Sequence, residues 1–148
     1  MFIRDIVDSD LENIAHIEAV CSGSEASTLN ELKEFFSSKS PMEFFRVLEL
    51  PQGLLGFIGF SFNEKENEIY IWNLAVLPEY RQKGYARSFL GQVLAEREKL
   101  KATKISLKIS EKNKIAFGLF DSLGFQVIGK IKNYYSDGSD CLALQLRF

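Results

Sequence analysis

Histidine is what this chain has least of. His16 is the only one in 148 residues, so neither a His-based metal site nor a Ser-His-Asp triad is easy to assemble. It falls in a helical stretch beside Glu18 and reads as a surface residue. Cysteine is nearly as scarce. Cys21 and Cys141 are the two present, and they form no CxxC pair and no zinc spacing. Two buried, reduced thiols are the plain expectation, which suits the cytoplasm. Long apolar runs are missing as well. Leu54-Leu-Gly-Phe-Ile-Gly-Phe60 is far shorter than the roughly 20 residues of a membrane-spanning helix. The start, Met1 to Asp8, lacks the basic-then-apolar order of a signal peptide. Neither sign of charge dominates. Eighteen Lys and Arg stand against twenty Asp and Glu, net −2, which argues against an extended nucleic-acid footprint. The expectation is a protein with no metal, no nucleic-acid partner and no membrane segment.

What is present fits one globular α/β (α+β) domain over residues 1–148. Apolar residues make up 46% and charged residues 26%, enough to bury a core and remain soluble. Phe2 to Val7 alternates as a strand. Asp8-Ser9-Asp10 then offers an N-cap to a helix with Leu11, Ile14 and Ile17, which Cys21-Ser-Gly-Ser24 ends. Ser27 or Thr28 caps a second helix with Leu29, Leu32, Phe35 and Phe36 on one face. Strands follow over Glu43 to Leu50, Leu54 to Phe62 and Glu68 to Val76. Ala86 to Lys99 is helical, with Phe89, Leu90, Val93 and Leu94 inward. Gly91 costs about 1 kcal/mol there relative to Ala, and a close helix–sheet approach would explain it. Thr103 to Ile109 is a strand, Asn113 caps a helix over Lys114 to Leu123, and Gly124-Phe125 fits its C-terminal stop. Phe125 to Ile131 and Cys141 to Phe148 are the last strands. The order is β-α-α-β-β-β-α-β-α-β-β.

The chemistry-bearing segment is Val76-Leu-Pro-Glu-Tyr-Arg-Gln-Lys-Gly-Tyr-Ala-Arg-Ser88. A strand, a short basic glycine loop and a helix come in succession. The first N–H groups of a helix have no intrahelical partner, and its dipole favours an anion. Gly84 permits a sharp turn and Ala86 a close approach.

Arg81-x-x-Gly84-x-Ala86, placed after Asn73-Leu-Ala-Val76, resembles the acetyl-CoA loop of the GNAT superfamily of N-acetyltransferases. Asn113-Lys-Ile-Ala-Phe117-Gly-Leu-Phe120-Asp-Ser-Leu-Gly-Phe125 resembles its second signature. The tail with Asn133, Tyr134 and Tyr135 resembles that of protein N-terminal acetyltransferases, including the ribosomal-protein alanine group. The likeness is firm from Ile69 to Phe125 and looser elsewhere. It implies a mixed sheet of about seven strands with four helices, splayed between the strands ending at Val76 and Ile109 to admit acetyl-CoA. Backbone groups of Leu74, Ala75 and Val76 would pair with the pantetheine. The pyrophosphate would sit on Arg81, Gln82, Lys83, Gly84, Tyr85, Ala86 and Arg87. Asn113, Phe117 and Phe120 would line the pantetheine arm, and Tyr134 and Tyr135 would hold the acceptor or donate to sulfur. No metal is implied, and either a monomer or a homodimer suits the family.

Two positions depart from that pattern. Phe120 stands where relatives usually carry a Tyr beside the CoA sulfur. Lys108 stands where the ribosomal-protein acetylases carry a Glu general base. A placed acid or base contributes roughly 10²–10⁴ in rate. A thiol with a pKa of about 8.5 leaves readily, however, and an α-amine, with a pKa of about 7.7–8.0, is partly neutral at pH 7. This favours an easily deprotonated amine over a lysine side chain; the Tyr134-Tyr135 pair tilts the expected acceptor towards a peptide N-terminus, with a small amine metabolite the other candidate. Glu68 or Glu111 could relay the proton. A weakly catalytic acyl-CoA-binding sensor or partner domain is the alternative.

Overall fold

The structure, a computed structural model, describes residues 2–148 and, of Ser24, the backbone alone. Met1, where the signal-peptide reading began, lies outside them. The elements are β1 (Phe2–Asp5), α1 (Leu11–Ser22), α2 (Leu29–Ser38), β2 (Glu43–Leu50), β3 (Gly53–Asn63), β4 (Glu68–Val76), α3 (Tyr85–Leu100), β5 (Lys104–Ser110), α4 (Lys114–Ser122), β6 (Gln126–Ile131) and β7 (Cys141–Arg147). Short 3-10 turns occupy Asp8–Asp10, Gly23–Glu25 and Pro78–Tyr80. Among the described residues this gives the expected seven strands and four α-helices in the expected order. The strands hydrogen bond in the order β1-β2-β3-β4-β5-β7-β6. β4 and β5 run parallel, as a strand–helix–strand crossover requires. The β1–β2, β5–β7 and β6–β7 pairs are antiparallel.

The chain forms two compact units, Met1–Phe60 with Asn73–Val93 and Ser61–Trp72 with Leu94–Phe148. In the first, Leu11, Ile14 and Ile17 of α1 are buried, as are Val47, Leu48, Phe57, Ile58 and Phe60 of the sheet and Phe89, Leu90 and Val93 of α3. Thr28 caps α2 through a reciprocal box: its Oγ1 accepts from Glu31 N at 3.2 Å and Glu31 Oε1 from Thr28 N at 3.0 Å. Asp10 makes no side-chain cap to α1. Its carboxylate instead accepts from Val7 N at 2.8 Å and from both Arg4 terminal nitrogens at 2.8 and 3.0 Å. The bidentate guanidinium holds this carboxyl below its ordinary range. Gly56 is required by proximity, because a Cβ there would lie 2.5 Å from the Ala75 carbonyl oxygen.

Three expectations are corrected. Gly91 is exposed, and a Cβ added to it meets nothing within 4 Å; no close approach accounts for this glycine. Leu94 is 39% exposed rather than inward. Cys141 is buried, but Cys21 is only partly so; both are free.

In the second unit α4 ends in a Schellman motif. Phe125 N donates to Phe120 O at 3.1 Å and Gly124 N to Asp121 O at 3.0 Å, with Gly124 at φ +95°. The Phe120 and Phe125 rings meet edge to face at 5.2 Å, the apolar contact that accompanies this stop. Ser106 donates to Glu68 at 2.6 Å, and Gln145 Nε2 donates to Ser106 Oγ at 3.0 Å, so this buried polar face of β4, β5 and β7 is internally satisfied.

Candidate active site

Leu74, Ala75 and Val76 finish β4. The parallel ladder to β5 runs from Glu68↔Lys104 to Ile71↔Leu107, while β4 itself continues to Val76. After the Pro78–Tyr80 turn the backbone takes positive φ at Gln82 (61°) and Gly84 (89°). Left-handed residues interspersed among right-handed ones turn successive N–H groups into a concavity that suits an anion. No Cβ at Gly84 would meet a neighbour within 4 Å, so glycine is needed for the conformation rather than for space. The first helical bond is Ser88 N to Gly84 O at 3.1 Å. The N–H groups of Gln82, Lys83, Gly84, Tyr85 and Ala86 bond to no acceptor among the described residues. They stand at the positive end of α3 with Lys83 and Arg87 exposed beside them. These residues fit a pyrophosphate. Arg81 also makes contacts within the protein. Its Nε donates to Val76 O at 2.8 Å and a terminal nitrogen lies 3.5 Å from Cys21 Sγ, so it braces the loop against the end of β4. Tyr85 is half-buried, its ring 6.5 Å from that of Tyr80.

The second unit holds the remaining candidates, the α4 residues and, apart from them, a cluster around Tyr134 and Tyr135. Asn113 Oδ1 accepts from Ala116 N at 3.1 Å, which caps α4, and the residue is exposed. Phe117 is half-buried, and Phe120 is buried against Phe125. Tyr134 and Tyr135 both donate their backbone N–H to Ser139 O, at 3.1 and 3.2 Å, and their rings lie edge to face at 5.0 Å. Tyr134 is 47% exposed. Tyr135 is half-buried, and burial, reinforced by the neighbouring Cys141, pushes its phenol well above the ordinary value. Glu68 is held by Ser106, and Glu111 faces Lys130 at 3.4 Å, so neither candidate relay is a free carboxylate.

Sequence reasoning missed two parts. Tyr70 joins this cluster: Lys108 Nζ lies 6.0 Å from its ring centroid and 5.5 Å from that of Tyr134. Burial raises the Tyr70 phenol as well, against the opposing pull of Lys108. In the first unit Glu18 is 4% exposed. Its Oε1 accepts from Asn73 Nδ2 at 3.0 Å and Ser27 Oγ at 3.4 Å, and burial holds its carboxyl above the ordinary range. A charged residue one position after buried Ile17 was the one available signal, since it places Glu18 on the edge of the buried face.

A glycine loop with unbonded N–H groups between a β4 strand end and α3, on this sheet order, defines a class. Residues 10–125 match the model of the Acetyltransferase (GNAT) family, and the chain belongs to that family and is an N-acetyltransferase. It is 28% identical over 146 residues to a Bacillus subtilis protein provisionally named ribosomal protein bS18-alanine N-acetyltransferase, covering 96% of this chain and 92% of that one. It is 33% identical over 76 residues to the ribosomal protein bS18-alanine N-acetyltransferase of Escherichia coli K12, about half of each chain (50% and 51%). The crystal structure of the ribosomal-protein-S18-alanine N-acetyltransferase from Escherichia coli superposes with a TM-score of 0.85 at 26% identity, over 99% of this chain and 92% of that one.

Proposed function

We propose that residues 1–148 act as one domain that transfers the acetyl group of acetyl-CoA to a primary amine, a peptide or protein N-terminus. The observation that carries this is the run of five unbonded N–H groups at the start of α3, in a family of acetyltransferases. Relatives named for the alanine of a ribosomal protein support the peptide acceptor. Acetyl-CoA supplies the activated thioester. The loop from Gln82 to Arg87 binds its pyrophosphate, Leu74 to Val76 offer backbone groups to its pantetheine arm, and Asn113, Phe117 and Phe120 line that arm. Tyr134 and Tyr135 hold the acceptor. In the transfer the neutral amine nitrogen attacks the acetyl carbonyl carbon to give a tetrahedral intermediate, which collapses with cleavage of the carbon–sulfur bond. The amine proton leaves to solvent or to the departing thiolate. Free thiols at Cys21 and Cys141 suit action in the cytoplasm.

Titration calorimetry with acetyl-CoA, followed by thiol release against peptides and small amines, tests the reading. Binding with turnover of peptides is expected. Turnover of polyamines or amino sugars but of no peptide overturns the peptide acceptor. Binding without transfer favours a sensor, to which the hydroxyl-free Phe120 ring buried on Phe125 is suited. Absence of binding overturns the function.

A further inference from the structure

Lysines stand at three strand positions of the second unit, and two of them are paired. Lys104 meets Glu66 at 3.7 Å. Lys130 meets Glu111 and Asp140, each at 3.4 Å. Lys108 has no carboxylate partner among the described residues. The carboxylate of Glu68, on the Tyr70 face of β4, is held by Ser106 at 2.6 Å and Gln145 at 3.4 Å. Asp137, in the loop after Tyr135, accepts from Ser139 at 2.6 Å and faces Lys112 at 3.8 Å. What surrounds the Lys108 ammonium is aromatic: Tyr70 from β4 and Tyr134 from the β6–β7 loop. Tyr135 packs on Tyr134. Burial raises the Tyr70 and Tyr135 phenols further above neutral pH, so they stay uncharged and can donate hydrogen bonds.

The cluster is thus rich in hydrogen-bond donors. It holds the Lys108 ammonium and phenolic hydroxyls, and the nearby carboxylate of Glu68, which acts on Tyr70, is engaged by Ser106 and Gln145 rather than by Lys108. Lys108 is exposed, and an ammonium beside two rings without an ion-pair partner is well placed to receive a carboxylate, while a second cation brought beside it is repelled. Resting on the proposed N-acetyltransferase function, we infer that Lys108 is a specificity residue. It receives a carboxylate carried close to the reacting amine, as in a peptide whose first side chain is Asp or Glu. Tyr134, whose ring centroid is 5.5 Å from this ammonium, is the residue proposed to hold the acceptor.

The test uses the full chain with saturating acetyl-CoA and peptides that differ only in their first residue, Glu, Ala or Lys, with free glutamate as a small-molecule arm. The wild type is expected to favour the Glu peptide over the Ala peptide at least about tenfold in kcat/KM, about 1.4 kcal/mol, mainly through KM. Lys108→Met should bring that ratio to about one. Lys108→Glu should invert it toward the Lys peptide, and Lys108→Arg should preserve it. Thermal melts of each variant check that the fold is intact. Turnover of free glutamate ahead of the Glu peptide retains the charge rule and makes the acceptor a small molecule. A wild-type preference for Ala or Lys overturns the inference. So does a ratio that survives Lys108→Met, even with kcat lowered on every peptide, since that assigns Lys108 to packing or to the reaction itself. In either case acetyl transfer stands. Failure to acetylate any acceptor overturns the function and this inference with it.

Discussion

Two regions of the molecule, proposed to bind an anion and an acceptor, are built by opposite constructions. The loop before α3 is built of backbone. Its N–H groups from Gln82 to Ala86 come from consecutive residues, and two positive-φ positions aim them. The cluster of the second unit is built of side chains. Tyr70 comes from β4, Lys108 from β5, Tyr134 and Tyr135 from the loop before β7, and Cys141 from β7 itself. A backbone site tolerates many side chains and fails when its geometry fails. A side-chain site keeps its geometry through substitution and loses only the deleted group.

The largest expected effect strikes the backbone site. Gly84→Val places a β-branched residue at φ +89°, a conformation it adopts only under strain. Titration calorimetry should show acetyl-CoA binding weakened about 100-fold or more, about 2.7 kcal/mol, in a protein that still melts cooperatively. Undiminished binding would break the comparison at its root. Next is Tyr134→Phe, which removes one hydroxyl from an exposed ring and leaves the edge-to-face contact with Tyr135. A loss of about tenfold in kcat/KM, the worth of one hydrogen bond to a charged group, is expected in thiol-release assays, with an unchanged Kd for acetyl-CoA. A weakened Kd instead would move the tyrosine from the acceptor to the cofactor.

Gly91→Ala sharpens the contrast from outside both sites. With open space around it the substitution should stabilise α3 by about 1 kcal/mol, read as a raised melting temperature; destabilisation would mean that the exposed face of α3 is packed after all. The smallest effect concerns Glu18. Its folded carboxyl sits above the unfolded value because it is buried. The folded state therefore holds its proton more tightly, and this contribution to stability is present at low pH and is lost as pH rises through the raised value. Glu18→Gln keeps an acceptor for Asn73 and Ser27 and removes the buried charge. Melting temperatures of the variant should gain on the wild type between pH 4 and pH 7, and parallel profiles would refute the buried-charge account.

Much of the fold was legible because its signals are short-range. Glu43–Leu50 and Glu68–Val76 form as strands at the expected bounds, since alternation and flanking turn residues lie within a few positions. The Asn113 cap and the Gly124-Phe125 stop are likewise local. The departures have non-local causes. Asp10 fits a helix cap by type, yet Arg4 and Val7 claim its carboxylate. Leu94 fits the apolar face of α3 by spacing but lies at its edge. Arg81 reads as a cofactor ligand in the motif, and in the fold its Nε also donates to the strand end at Val76, a contact the local pattern does not reveal.

The sequence by itself determined the element order, the strand–loop–helix that presents unbonded N–H groups, and the family to which these belong. Each depends on neighbours in the chain, where backbone conformation is set by a few adjacent residues. Tertiary structure alone decided that Tyr70, Lys108 and Tyr134 share one spot, that Glu68 is taken by Ser106 and Gln145, and that Glu18 is buried against Asn73. Strand register and packing bring together residues tens of positions apart, and the local pattern that places each residue on its own strand or helix says nothing about which distant residue it will meet.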